Sequence, residues 1–442
     1  MSSDGFKAIV VGAGPTGLTT AHALTKAGLD FIVLEGREDA VNEGGSHLVM
    51  SSMGLSALSQ LGLSDAVDKV SSPLPQVQRI NDRGRDIGTL NWFEFHKRDF
   101  GFYPKIISRH DLNKLLFESL PLASQAKILT GKKVSDVRTE ADGVRVTCKD
   151  GSSFSGTIVI GADGAHSMIR GQMRTLALAA GSDEVNEEKP FLTTYRALWM
   201  SFPTALSDKV PAGFSSETHK HGACTQLFAG ADTAVVAMYE TMEKPTRDRI
   251  RFTQADEDAM IERHAHLPLI EGGSLTFGDV YKNRIASGMV SLEEGVVDHW
   301  SWDGRMVLVG DAAHKFTPIT GAGCNNGIAD VVVLANEMHK AFQETAAAPG
   351  NEYTTPGREE LAAAFKAYQS KRFEPVKAQC ARAGQTTAAS TWASGLARII
   401  DQYIMSSKMV QKQLWGNRAR GELPAFYFAN NEETGVRTKI TA

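Results

Sequence analysis

The chain has 442 residues, 42% apolar and 22% charged, which suits two or three soluble domains and excludes disordered, collagen-like and disulfide-scaffold classes. Its 47 basic and 51 acidic side chains leave a net charge of −4 with no basic stripe, so no nucleic acid is expected as a partner. Cys148, Cys224, Cys324 and Cys380 lie far apart without a C-x-x-C pair, which suits a reducing, cytoplasmic setting and argues against zinc or a redox disulfide. No apolar run is long enough for a membrane span. The first predicted strand, at residues 6–11, leads straight into a glycine loop and leaves no place for a signal peptide.

That strand is short, apolar and rich in β-branched residues, as a strand buried on both faces should be. It is followed by Gly12-Ala13-Gly14-Pro15-Thr16-Gly17, a helix through Ala27 stopped by Gly28, and a second strand at 31–34 ending in Glu35. The spacing is that of a dinucleotide-binding unit. Gly12 allows the tight turn, Gly14 the approach of a pyrophosphate, and Gly17 the packing of helix on strand. Free N–H groups at the helix start would meet the phosphates. Glu35 sits where a carboxylate can accept both ribose hydroxyls. This unit alone leaves NAD and FAD open.

Further along, Ser108-Arg109-His110-Asp111-Leu112 opens a helix. A buried strand at 157–160 runs into Gly161-Ala162-Asp163-Gly164 and a helix reaching Arg170. Another, at 306–309, ends in Gly310-Asp311-Ala312-Ala313-His314-Lys315-Phe316-Thr317-Pro318. Gly321-Ala322-Gly323-Cys324-Asn325-Asn326-Gly327 then begins a long helix to about Phe342. No second glycine fingerprint is present. Residues 76–104 and 186–285 interrupt these units, and the second stretch alternates as strands at 193–201, 224–228 and 234–239. A short helix is expected at 255–266.

In this order and spacing the motifs resemble the class A flavoprotein monooxygenases, the single-component aromatic hydroxylases and epoxidases. The G-D-A-A-H-K-x-T-P run with its following G-x-G is most similar to the fungal enzymes that tailor terpenoid, indole-terpenoid and polyketide products. The resemblance covers roughly residues 6–345. It implies an α/β fold: a Rossmann-like FAD-binding domain (1–75, 105–185 and 286–345), an inserted antiparallel β-sheet substrate domain (76–104 and 186–285), and a C-terminal helical region (346–442). It also implies non-covalent FAD, NAD(P)H as a transient electron donor, and one oxygen atom of O₂ passed through a flavin hydroperoxide to an apolar substrate by hydroxylation or epoxidation. Cofactor contacts are implied at Gly12, Gly14, Gly17, Glu35, Val49, Arg109, Asp163, Asp311, Gly323 and Cys324. The same residues would serve a flavin reductase or dehydrogenase, or a non-catalytic FAD-binding protein, so these alternatives stay open.

Within the inserted sheet, Tyr195-Arg196 matches the subgroup's Y-R pair, which implies a catalytic role for Arg196. A salt bridge at the domain interface is the structural alternative. The tyrosine that the subgroup carries further on is missing between Gly213 and Phe228, and Tyr239 is a poor substitute. His47 stands where relatives have small residues, and either the flavin or solvent could face it. Trp92, Phe93, Phe95, Phe100, Phe102 and Tyr103 suggest core packing or an aromatic substrate lining. After a linker at 345–356, helices are expected at 357–383 and 388–416. The second carries an apolar stripe of Trp392, Leu396, Ile399, Ile400, Tyr403 and Ile404. Packing on the flavin domain is the expectation; peripheral membrane contact and dimer contact are alternatives. Nothing in the sequence selects an oligomeric state.

Overall fold

A computed structural model describes residues 5–41, 46–347, 355–418 and 425–427. Much of the linker expected at 345–356 and most of the tail after 417 lie outside the described residues. Ala8–Val11 is buried at every position. It forms the centre of a six-stranded sheet, between parallel Phe31–Leu34 and Ile158–Gly161. Met306–Leu308 extends the parallel order, and the short Ser301–Trp302 closes that edge antiparallel. The first helix, Pro15–Ala27, has Pro15 in its first turn, where a missing N–H costs little, and ends at Gly28 with φ 69°. The long helix Ala322–Ala347 packs against it.

The second large sheet has eight strands in the order His314–Lys315, Ala286–Val296, Leu192–Pro203, Thr233–Thr246, Ala223–Ala229, Ser215–Lys220, Val77–Asn81, Asp86–Leu90. Ala286–Val296 belongs to this sheet, whereas the sequence reading placed it with the cofactor-binding part; it pairs with Leu192–Pro203 along nearly its whole length. Ser215–Lys220 was not expected as a strand at all. Along Leu192–Pro203 the side chains alternate between two environments. Leu198, Met200 and Phe202 pack under the helices Gln254–His264 and Phe277–Lys282. Tyr195 and Ala197 face the other way, onto Tyr239, Cys224 and Ile319. Ile319 lies in the turn after the G-D motif, so this inner face looks toward the six-stranded part.

The C-terminal region differs from expectation. Arg358–Ser390 is one helix of 33 residues running through Pro375. It breaks at Trp392, which holds a left-handed φ of 43°. The short pieces Gly395–Ile399, Ile400–Ile404 (a π-helical turn) and Lys408–Arg418 follow. The expected apolar stripe does not pack on the flavin domain. Trp392 is buried, but Leu396 is 68% and Tyr403 74% exposed, with Ile399 and Ile404 also exposed. The break at Trp392 rotates the following pieces out of the register a continuous helix would have kept.

A buried carboxylate is one of the links between the helical and sheet parts. Asp330, wholly buried in the long helix, accepts the Gly310 N–H at 2.9 Å, His314 Nε2 at 2.6 Å and Arg372 Nε at 2.8 Å. Burial disfavours its charge, yet His314 and Arg372 outweigh burial and hold its carboxyl below the usual range. Its contribution to stability is therefore full at neutral pH and is lost on acidification. Asp330→Ala leaves Arg372 buried without its counter-charge, so we expect a loss of about 3–5 kcal/mol in urea unfolding at pH 7. Unchanged stability at pH 7 would contradict a clamp at this position.

Candidate active site

Three glycine-bearing segments meet at Thr16. Cβ atoms added to Gly310 and Gly327 would each collide with its hydroxyl. A Cβ on Gly12 would lie 2.6 Å from the Ala162 carbonyl, and one on Gly17 would strike the Gly12 carbonyl. At Gly14, by contrast, nothing lies within 4 Å. The backbone there borders open space, as an approaching pyrophosphate requires. Asn325 fastens the neighbouring segments: its amide donates to the carbonyls of Val49 (2.9 Å) and Gly321 (2.7 Å) and accepts from the Ser51 N–H (2.9 Å). The strand His47–Met50 and the loop before the long helix are therefore one rigid wall.

Arg109 begins the helix Arg109–Glu118, capped by Ser108. It is exposed, and among the described residues no partner holds its guanidinium. Asp311 sits at the G-D turn with Gly323 against it, a Cβ there being 3.8 Å from Asp311 Oδ1. Cys324 feels both charges. Burial pushes its thiol up to about 12, Arg109 opposes this and Asp311 adds to it, so it stays a neutral thiol. The structure thus places Gly323 and Cys324 beside Asp311, Arg109 near Cys324, and Val49 against Gly321, next to the Gly12–Gly17 turn. A cation and a carboxylate without partners among the described residues, beside open glycine backbone, fit a dinucleotide with polyol and pyrophosphate groups.

Two predicted carboxylates are engaged by the protein itself. Glu35 accepts the Ala13 N–H at 2.7 Å, and Arg37 bonds both its oxygens. Burial opposes its ionisation, but Arg37 and the Ala13 N–H hold it below the usual range. It braces the glycine loop through Ala13. Asp163 accepts from Ser167 Oγ and from the backbone N–H groups of Met168 and Ile169, so its carboxylate caps the helix Met168–Ala179. The motif's backbone packs against Gly12, and Arg170 ties it to the Ala312 carbonyl at 2.8 Å.

Arg196 is not brought to this cleft. Its guanidinium pairs with Glu240 at 2.6 Å, and Glu240 is shared with Arg263 (3.0 Å) and His264 (2.8 Å) of the helix Gln254–His264. These groups lie on the outer face of the sheet. Strand alternation sends Tyr195 inward and Arg196 outward, so the expected catalytic role of Arg196 is corrected to a structural ion pair. His47 is neither in a loop nor fully exposed. It lies on a strand, 3.2 Å from the Thr233 hydroxyl, and burial pushes it down to about 4, so it is neutral.

The aromatic cluster divides. Phe93 joins Val49, Leu74, Ile106, Phe228 and Val235 between the sheet and the cofactor wall. Trp92, Phe95, Phe100 and Phe102 pack around Trp415. Sequence reasoning missed Asp330, Arg372 and the inward polar row Glu217, His219 and Gln226. For Asp330 a signal existed: it is an acid inside the apolar run Ile328–Ala335.

The chain matches the family model "FAD binding domain" over residues 6–365. It is 31% identical over 385 residues to FAD-dependent monooxygenase DEP2 of Alternaria brassicicola, covering 84% of this chain and 69% of that protein. FAD-dependent monooxygenase atmM of Aspergillus flavus is 32% identical over 381 residues, covering 84% and 76% respectively. The fold is also that of Klebsiella pneumoniae HpxO crystallised with FAD and uric acid, at TM-score 0.69, 21% identity, and coverage of 93% and 96%. The chain that folds around this cleft belongs to the FAD-dependent monooxygenases of the FAD-binding-domain family, with FAD as its cofactor.

Proposed function

We propose that the protein uses NAD(P)H and O₂ to insert one oxygen atom into a bulky apolar natural product, by hydroxylation or epoxidation. The observation that carries this reading is the apolar layer of Val49, Leu74, Phe93, Ile106, Phe228 and Val235, where the inner face of the large sheet meets the cofactor wall. Such a lining keeps water from a reactive oxygen donor and holds an apolar substrate against it. Bound FAD supplies the redox and oxygen chemistry. The protein's own groups bind and orient. Arg109 and the start of Pro15–Ala27 would meet the pyrophosphate and Asp311 a ribityl hydroxyl, while backbone at Gly323 and Cys324 would border the ring; Glu35, bonded by Ala13 and Arg37, would meet the ribose only by giving up an Arg37 contact. The start of Ala322–Ala347 would then turn its positive end toward that ring. Incubation with NAD(P)H, terpenoid or aromatic precursors and ¹⁸O₂ should give product with one labelled atom. NAD(P)H-dependent product without label would point to a reductase or dehydrogenase instead.

We also propose peripheral contact with an anionic lipid surface. Leu396, Ile399, Tyr403, Ile404 and Met409 are exposed together, flanked by exposed Arg398, Lys408 and Lys412. No described helix is long and apolar enough to cross a membrane, so contact would be by this face alone. Wild type should sediment with phosphatidylserine-containing vesicles at low salt, and a Leu396→Ser/Tyr403→Ser variant should not. Wild type left in the supernatant would dismiss the idea.

Two substitutions test the site assignment. Asp311→Ala removes the acceptor for a buried hydroxyl and should weaken FAD binding by about 1–3 kcal/mol, read as Kd in a flavin fluorescence titration. Arg196→Ala leaves Glu240 with Arg263 and His264, so it should cost no more than about 1 kcal/mol of stability and leave FAD binding and turnover near wild type. A hundred-fold loss of turnover in a folded, FAD-loaded Arg196→Ala protein would restore the catalytic reading.

A further inference from the structure

The inner face of the large sheet carries a buried polar chain that the proposed chemistry does not use. His219, 1% exposed, places Nδ1 2.7 Å from Asp401 and Nε2 3.0 Å from Glu217. Asp401 also accepts from Arg79 at 2.6 Å and from Trp392 Nε1 at 2.9 Å. Glu217 accepts from Gln226 Nε2 at 2.6 Å, and the same amide donates to the Ile319 carbonyl at 2.9 Å. The Gln226 carbonyl accepts the Tyr239 hydroxyl at 3.0 Å. The chain therefore runs from the C-terminal segment, across the sheet, to the turn Pro318–Thr320.

Both ring nitrogens of His219 face carboxylates, which only accept when ionised, so both must carry protons. An imidazolium and Arg79 then balance Asp401 and Glu217. This balance fixes Gln226, whose NH₂ must face Glu217 and Ile319 and whose carbonyl must face Tyr239. Two uncommon backbone conformations deliver the C-terminal members. Trp392 holds its left-handed φ, and Asp401 stands in the π-helical turn Ile400–Ile404. Local strain of this kind persists only where surrounding contacts hold it.

We propose that Gln226 is a positioning residue for the reaction: it holds the Ile319 carbonyl, and so the Pro318–Thr320 turn beside the flavin, and the C-terminal segment sets its orientation through Asp401 and His219. The inference rests on the reading of the 317–324 loop as flavin-facing. The C-terminal helices are then a working part of the active centre and not an appendage. Burial disfavours the His219 cation, but Asp401 and Glu217 outweigh it and push the ring up to about 9. The other groups facing it are Arg79 from Val77–Asn81, and Cys224 and Tyr239 from the two inner strands. Burial pushes the Cys224 thiol and the Tyr239 hydroxyl upward, so both stay neutral there. The ordered chain is complete at neutral pH, where both carboxylates are ionised, and is released above about pH 9.

The test compares wild type with Gln226→Met and His219→Gln. Amide hydrogen exchange at pH 7, on FAD-free and FAD-loaded protein, should be at least about ten-fold faster at residues 319–323 in both variants, with Pro15–Ala27 unchanged. In FAD-loaded wild type the flavin absorbance should show a reversible step near about pH 9 that both variants lack. Unchanged exchange at 319–323, or a wild-type spectral step that survives in Gln226→Met, would overturn the proposal. The FAD-free exchange does not need the cofactor, so failure to bind FAD would sink the cofactor reading and leave this arm to decide the coupling. If Gln226→Met does not fold, Trp392 fluorescence in wild type decides. A step near about pH 9, absent in His219→Gln, supports the chain, and its absence in wild type rejects it.

Discussion

A buried carboxylate at Asp330 in the long helix joins the G-D turn to the C-terminal helix. It reaches Gly310 in the G-D turn, His314 just after it, and Arg372 in the C-terminal helix. Arg372 continues to the Asn326 side chain at 2.7 Å, at the start of the long helix. This point adds to the packing of both segments on Thr16 and ties the turn bearing Asp311 to the start of the long helix. A charge with 0% exposure is tolerated because both oxygens accept hydrogen bonds, one of them from the Arg372 cation. The position of Asp311 is thus set from behind, by a residue that need not touch cofactor or substrate.

The second constraint is the pleat of the eight-stranded sheet. One face receives two helices and closes an apolar core around Leu198, Met238 and Phe277. The other faces the cofactor wall. Because neighbours on a strand point oppositely, the sheet assigns roles residue by residue. Tyr195 belongs to the inner side, and Arg196 belongs to the outer ion cluster with Glu240, Arg263 and His264. A sequence pair such as Y-R carries no face of its own; register decides it. Here the regular pairing from Tyr195 to Ser201 puts Tyr195 on the side of Ala197 and Arg196 on the side of Leu198.

The glycine unit was legible because its requirements are local. Strand, tight turn, close packing and helix start each demand a residue type at a set spacing, and the structure shows the collisions that forbid a Cβ at Gly12 and Gly17. The G-D turn and its following loop were legible for the same reason. Long-range pairing was not. Ser215–Lys220 reads as a polar loop, yet it is buried at nearly every position, because two neighbouring strands take its backbone and Asp401, Gln226 and the 268–269 carbonyls take its side chains. Asp163 was read as a ligand, and its carboxylate is consumed by the helix that it starts. The stripe from Trp392 to Ile404 assumed one continuous helix, and the left-handed Trp392 breaks that periodicity.

The most direct measurement is a crystal structure with FAD bound. The account predicts pyrophosphate on the backbone of Gly12–Gly17 near Arg109, a ribityl hydroxyl on Asp311, and the flavin ring bordered by Val49, Gly323 and Cys324. Arg196 should remain on Glu240, on the far side of the sheet. A flavin bound outside this cleft, or Arg196 released from Glu240 to reach it, would contradict the account.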